Sequence, residues 1–417
     1  MNVYFSGIGG VGIGPLAEIA HDAGYNVIGS DLVESLVTKE LHKKGILISK
    51  IQDGSFLKEC HQKNPIDWFI YTAALNDNHP ELMMARELGI KTAKRDELLA
   101  YIIEQKKLKL IAVSGTHGKT TTTGILVWIL QQINIPISYS IGTTLTFGPS
   151  GKFNPDSEYF IYECDEFDRN FLHFKPYLSL LTSIDYDHSD TYKTPEDYLE
   201  AFKQFAINSN QVITWDDQHS TIFNGMNQVT ILNHLNIDTN LSIAGDHNRR
   251  NATLVQAALD YLKIDKKVSD LIINFPGTDR RFEKLDDNLY SDYGHHPTEI
   301  AATLQLAHEI SDHVVLVYQP HQNIRQHELR NQYTNQFELA EEIYWLPTYL
   351  SREDPNLPIL KPQDLIQNIT NKENIHVAKF NDDLWNTIKK LRQEKKLVLC
   401  MGAGEIDNWV REKLAKD

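Results

Sequence analysis

Gly115-Thr116-His117-Gly118-Lys119-Thr120 lies directly between an apolar run, Leu110 to Val113, and a helical pattern striped by Ile125, Leu126, Ile129, Leu130 and Ile133. A glycine loop joining a strand to a helix commits this stretch to an α/β layer, and its chemistry follows from its position. Backbone N–H groups at a helix N-terminus cradle polyphosphate, a lysine adds a point charge, and a hydroxyl can ligate Mg²⁺. In the common form a glycine stands four residues before the Gly-Lys pair; Val113 and Ser114 show a shortened form here. Gly115, Thr116, His117, Gly118, Lys119, Thr120 and Thr121 are therefore candidate nucleotide contacts, with Lys119 expected on a surface loop.

A second glycine loop, Gly7-Ile8-Gly9-Gly10-Val11-Gly12, follows the strand-like Val3 to Ser6 and precedes a helix expected over about Gly14 to Ala23. Asp31 follows the next strand, Val27 to Ser30, where an acid often holds a ribose. Taken alone the pattern fits NAD; a nucleotide diphosphate of unspecified kind is the better inference, the alternative being a glycine-permitted tight turn with no ligand. Gly9, Gly10, Val11, Gly12, Ser30 and Asp31 are its candidate contacts.

The whole chain is α/β, with strands alternating with helices in three segments, and 417 residues exceed what one core usually supports. Residues 1–105 form the first segment, 106–275 the second and 276–417 the third; the lysine-rich Glu104-Gln105-Lys106-Lys107 reads as a linker. No stretch approaches a membrane span, and no basic leader precedes the first strand. Three cysteines without a metal spacing suit free thiols in a reducing compartment, so the expected location is the cytoplasm. A formal charge of −15 argues against general nucleic-acid binding, which needs a broad basic face.

Two acidic clusters follow later strands: Glu163-Cys164-Asp165-Glu166-Phe167-Asp168 and Asp185-Tyr186-Asp187-His188-Ser189-Asp190. Loops at the carboxyl ends of parallel strands line the ligand crevice, so both clusters are expected to face the phosphate loop, where a carboxylate and an imidazole can hold a divalent cation. Asp292-Tyr293-Gly294-His295-His296-Pro297-Thr298-Glu299 carries adjacent histidines, but His296 before proline, with Glu299 close behind, reads as a helix start rather than a metal site.

These motifs, together with Arg280-Arg281-Phe282-Glu283, Gln319-Pro320-His321 and Met401-Gly402-Ala403-Gly404, resemble the Mur ligase family in order and over essentially the whole chain. The resemblance implies a three-domain architecture: a Rossmann-like domain for a UDP-sugar, a central phosphate-loop ATPase domain, and a Rossmann-like C-terminal domain that brings the amino acid. It is nearest to the alanine-adding branch, which implies ATP- and Mg²⁺-dependent joining of L-alanine to the carboxylate of UDP-N-acetylmuramate through an acyl phosphate, in peptidoglycan precursor synthesis. It further implies that Lys119 serves the transferring phosphate, that Thr120 ligates the ATP-bound Mg²⁺, and that Glu163 and His188 are ligands of the other metal site. Asn248, Asn251, Arg281 and Asp292 correspond to contacts with ATP, and His321 and Arg325 to the amino-acid motif, with His188 and Arg325 joining Lys119 in catalysis. A monomer or weak dimer is expected, with no nucleic-acid or membrane partner.

One departure stands out. Gln322 occupies a position where the family usually has arginine, so one guanidinium fork is missing at the expected amino-acid site. Lys203, fifteen residues after His188, reads as an exposed helical lysine. The competing readings are a ligase that adds a preformed tripeptide to the same sugar, an NAD-dependent oxidoreductase, and a nucleotide-binding protein without catalysis.

Overall fold

The computed structural model describes residues 1–417 apart from Val11, Ala73, Ala74, Ser189, Asp190 and Arg352. The chain falls into two compact units: residues 1–237 with 252–275, and residues 238–251 with 276–417.

The first unit carries two sheets. One is parallel, with spatial order Leu47–Ser49, Asn26–Ser30, Asn2–Ser6, Trp68–Tyr71, Lys91–Lys94. Its strand ends are pinned by Glu81, a fully buried acid in the first turn of the helix Pro80–Glu87. Hydroxyls of Tyr4, Ser6 and Ser30 donate to it at 2.6, 2.5 and 2.8 Å. A buried carboxylate is tolerated because its lone pairs are met.

The other sheet has seven strands, with Lys109–Ser114 fourth, flanked by Tyr159–Glu163 and Leu178–Leu181. Ser114 aligns with Leu181, and Val113 with Glu163. Parallel register therefore brings the two acidic clusters to the strand end that bears the phosphate loop. Ile125, Leu126, Ile129 and Leu130 are fully buried on the helix Lys119–Gln132, as their spacing predicts, whereas Ile133 falls just past its end and is half-buried. Glu104 and Gln105, expected in a linker, instead complete the helix Arg95–Gln105; both are good helix formers that prolong an amphipathic run until Lys107 turns at φ +55°.

The second unit has a six-stranded sheet ordered Glu283–Asp286, Leu289–Asp292, Leu397–Met401, Val314–Tyr318, Glu342–Trp345, Ile375–Val377, parallel except for its first strand. Tyr318, Tyr333, Phe337 and Trp345 pack together on one face. The helix Pro297–Ile310 starts as the sequence predicts: His296 is its N-cap, and Glu299 closes a capping box. Among the described residues no helix is long and apolar enough to cross a membrane.

Candidate active site

Gly115 has φ +125°, and a Cβ there would lie 2.4 Å from Thr182 Oγ1 and 2.7 Å from the Ser183 carbonyl oxygen. A side chain is excluded both by conformation and by space. The loop is fixed against the neighbouring strand end. Thr116 N–H donates to Ser183 O at 3.0 Å, His117 N–H to Ser183 Oγ at 2.9 Å, and Asp185 N–H to Thr116 Oγ1 at 2.8 Å. The helix Lys119–Gln132 then begins without a side-chain cap, which leaves first-turn N–H groups available to an anion.

Lys119 is not on an exposed loop surface. Its side chain is 15% exposed, and its ammonium donates to Gly115 O at 2.6 Å and to both oxygens of Glu166 at 2.8 and 3.1 Å. Glu166 is fully buried. Burial alone would raise its carboxyl, but the Lys119 ammonium and His188 reverse that and hold it below the usual carboxylate range. Burial likewise disfavours a charged Lys119, and Glu166 with Asp165 overcomes it, so the lysine stays cationic.

Thr120 Oγ1 donates to Glu163 Oε1 at 2.7 Å, and Glu163 Oε2 accepts Gly142 N–H at 2.8 Å. A hydroxyl and a carboxylate this close at a phosphate loop are the oxygen donors a hard divalent cation takes. The atoms that converge with His188 come from Asp165 and Glu166, all within 4.8 Å of one another. His188 Nε2 lies 3.6 Å from Glu166 Oε1, and its backbone has φ +59°. This set also fits a cation, although Glu166 would have to share its charge with Lys119. His117 Nε2 is 3.3 Å from Asp185 Oδ2. Thr121 is the third helical residue, half-buried.

At the other glycine loop, Asp31 accepts the N–H of Gly9 at 2.8 Å and that of Val33 at 2.9 Å. The acid thus shapes the loop directly. Ser30 is fully buried, with its hydroxyl committed to Glu81. Gly10 caps the turn by donating to Gly7 O at 3.0 Å. Val11 lies outside the described residues.

In the second unit Asp292 is 6% exposed, accepting Phe282 N–H at 2.8 Å and Gly294 N–H at 2.7 Å. Burial pushes its carboxyl up to about 6, against the pull of Arg281 and the two N–H groups. Arg281 lies 5.4 Å from the Tyr293 ring centroid. Asn248 donates to Ala244 O at 2.9 Å, and Asn251 is buried on the same helix. Arg325, on the helix Asn323–Leu329, contacts His295 Nε2 through Nη1. The His295 ring is 5.2 Å from that of His321, which stacks on Tyr349 at 5.6 Å. Gln322 takes φ +60° just before that helix. Lys203 lies on the helix Pro195–Asn208 as expected, but half-buried, with its ammonium 4.0 Å from Glu200 Oε2.

Three family descriptions match in order: "Mur ligase family, catalytic domain" over residues 2–107, "Mur ligase middle domain" over 113–235 and "Mur ligase, glutamate ligase domain" over 280–404. The UDP-N-acetylmuramate–L-alanine ligase of Carboxydothermus hydrogenoformans is 31% identical, over 97% of this chain and 94% of that protein. Its counterpart from Campylobacter jejuni subsp. doylei is 32% identical over 99% of both. The chain belongs to the Mur ligase family.

Solved structures agree on the fold of this Mur ligase. A UDP-N-acetylmuramate-alanine ligase from Thermotoga maritima superposes with a TM-score of 0.72 at 23% identity, over 100% of this chain and 99% of that one. A murein peptide ligase from Psychrobacter arcticus gives 0.63 at 22%, over 100% and 98%. The fold is the three-domain Mur ligase fold, α/β throughout.

Glu166, Asp165, His295 and Tyr349 were not singled out from sequence as site residues of this Mur ligase. Glu166 had one signal, its place in an acidic cluster at a strand end. His295 was visible only as the neighbour of a helix cap.

Proposed function

We propose that this Mur ligase joins L-alanine to the carboxylate of UDP-N-acetylmuramate, with ATP as the driving nucleotide and Mg²⁺ as the metal. The reading is supported by whole-length relatives named for that reaction and by a phosphate loop whose lysine and hydroxyl are both in place beside acids. Residues 1–105 bind the UDP-sugar, 106–275 the ATP phosphates, and 276–417 the amino acid. The cytoplasm supplies these substrates, and three buried free cysteines suit it.

The substrate carboxylate attacks the γ-phosphorus of ATP, forming an acyl phosphate as the bond to the ADP oxygen breaks. Lys119, with the N–H groups of Gly118, Thr120 and Thr121, offsets the charge that develops on the transferring group. Thr120 and Glu163 would hold one cation and His188 with Asp165 and Glu166 a second; Mg²⁺ bound there would offset charge on the phosphoryl oxygens. Asn248, Asn251, Arg281 and Asp292 serve the nucleoside and phosphates. Arg325 and His321 orient the amino acid; its ammonium passes a proton to solvent, and the free amine attacks the acyl carbonyl, forming the amide bond as the acyl carbon–oxygen bond to phosphate breaks and phosphate leaves. The test is phosphate release from ATP that requires UDP-N-acetylmuramate and an amino acid together, compared across a panel of amino acids.

A further inference from the structure

Gln322 takes φ +60° and ψ 124°, a sparsely populated backbone state for a residue with a side chain. It leads into the helix Asn323–Leu329, and its own side chain does not cap that helix. A seven-residue helix gains little from its internal hydrogen bonds, so both the turn and the helix start have to be held from outside.

Glu353, 30 residues after Asn323 and half-buried, supplies the hold. Its Oε1 accepts Asn323 N–H at 2.9 Å and its Oε2 accepts Ile324 N–H at 3.1 Å, so one carboxylate spans the first two N–H groups of the helix. Oε1 also accepts Ser351 N–H at 2.9 Å, which ties the acid to its own segment. Charge-assisted bonds of this kind at a helix start also follow the favourable direction of the helix dipole. Asn323, 1% exposed, closes the joint from the other side: its Nδ2 donates to Pro358 O at 3.1 Å, and its Oδ1 accepts Leu360 N–H at 2.9 Å. Tyr349 N–H donates to Pro320 O and Gln322 N–H to Tyr349 O, both at 2.8 Å. The segment carrying Tyr349, Glu353 and Pro358 thus grips Pro320, Gln322, Asn323 and Ile324, and Arg325 is the next residue. Because Glu353 already fills the helix start, the carboxylate of an incoming amino acid is left to side chains.

We propose that Glu353 is a positioning residue for the amino-acid site: by holding the N–H groups of Asn323 and Ile324 it fixes the turn at Gln322 and aims Arg325 at the amino-acid carboxylate. This rests on the reading above that Arg325 orients the amino acid. Initial rates of phosphate release by the full chain are measured against the concentrations of L-alanine, ATP and UDP-N-acetylmuramate. The proteins compared are the wild type, Glu353→Ala, Glu353→Gln, Arg325→Ala and the double variant Glu353→Ala with Arg325→Ala. Glu353→Ala is expected to raise the amino-acid KM about 5- to 30-fold, the usual effect of losing a helix-start acceptor, with the other two KM values near those of the wild type. Glu353→Gln falls between, because one oxygen still accepts while an amide NH₂ faces the other N–H. In the Arg325→Ala background the Glu353 change adds little, since it acts through that guanidinium. A purely structural Glu353 would lower the melting temperature and leave the amino-acid KM of the folded protein unchanged, which overturns the proposal. Losses that multiply independently in the double variant overturn it as well. A wild-type KM in Arg325→Ala overturns the reading of the site and the proposal together; a raised KM there, with unchanged values in both Glu353 variants, overturns the proposal alone.

Discussion

The ammonium of Lys119 lies 2.8 and 3.1 Å from the two oxygens of Glu166, a carboxylate with no exposed surface. The phosphate-loop lysine is therefore held by a buried ion pair. Such a pair fixes direction at little net gain in stability, but breaking it strands one charge. Lys119→Ala is expected to lower kcat about 100- to 1,000-fold and also to destabilise the fold. Lys119→Met with Glu166→Gln should recover stability relative to Lys119→Met alone, by about 1–3 kcal/mol in a denaturation cycle that also includes Glu166→Gln alone, without recovering activity. Additive losses in that cycle would mean that the pair is not coupled.

Thr120 and Glu163 share a 2.7 Å hydrogen bond, which a cation between them would replace. Glu163→Ala should raise the Mg²⁺ concentration for half-maximal activity about tenfold or more, since one anionic ligand of a weakly held cation is lost. A Mg²⁺ titration indistinguishable from the wild type would remove Glu163 from the metal site.

Burial pushes the Asp292 carboxyl up to about 6 from an ordinary 3.8, with Arg281 lowering it and Glu299 raising it. The folded state then holds its proton more tightly than the unfolded chain does. The stability this gives is complete below about pH 4 and is lost as pH rises through 6, a change of about 3 kcal/mol. Asp292→Asn should abolish this slope, whatever it does to the absolute melting temperature. Melting curves between pH 4 and 7 with the same slope in both proteins would refute it.

Arg325 meets His295, and His295 lies beside His321, so one guanidinium and two imidazoles cluster past the ends of the strands Leu289–Asp292 and Val314–Tyr318. With Gln322 in place of a second arginine, Arg325→Ala should raise the amino-acid KM about tenfold or more and leave that for ATP nearly unchanged. Gln322→Arg should be tolerated, because both residues pay the same cost at φ +60°. Equal amino-acid KM values in all three proteins would exclude this cluster from the site.

Local patterns carried much of this structure. The strand, glycine loop and helix around Lys119, the helix start at His296, and the apolar stripe from Ile125 to Leu130 each depend on residues adjacent in the chain. The pairs that build the site do not. Lys119 and Glu166 are 47 residues apart, and parallel register rather than local pattern sets them together. Arg325 against His295 is equally non-local. Lys119 was expected on the surface because loop lysines usually are; the acid that pairs with it lies just past another strand, Tyr159–Glu163.

The most direct test of the account is the product. The protein is incubated with ATP, Mg²⁺, UDP-N-acetylmuramate and either L-alanine, glycine, L-serine or the cell-wall tripeptide, and the uridine-containing products are read by mass spectrometry beside the ADP formed. The account predicts UDP-N-acetylmuramoyl-L-alanine in one-to-one ratio with ADP, formed faster than any other adduct. Tripeptide adduct without alanine adduct, or ADP without any amide product, would contradict it.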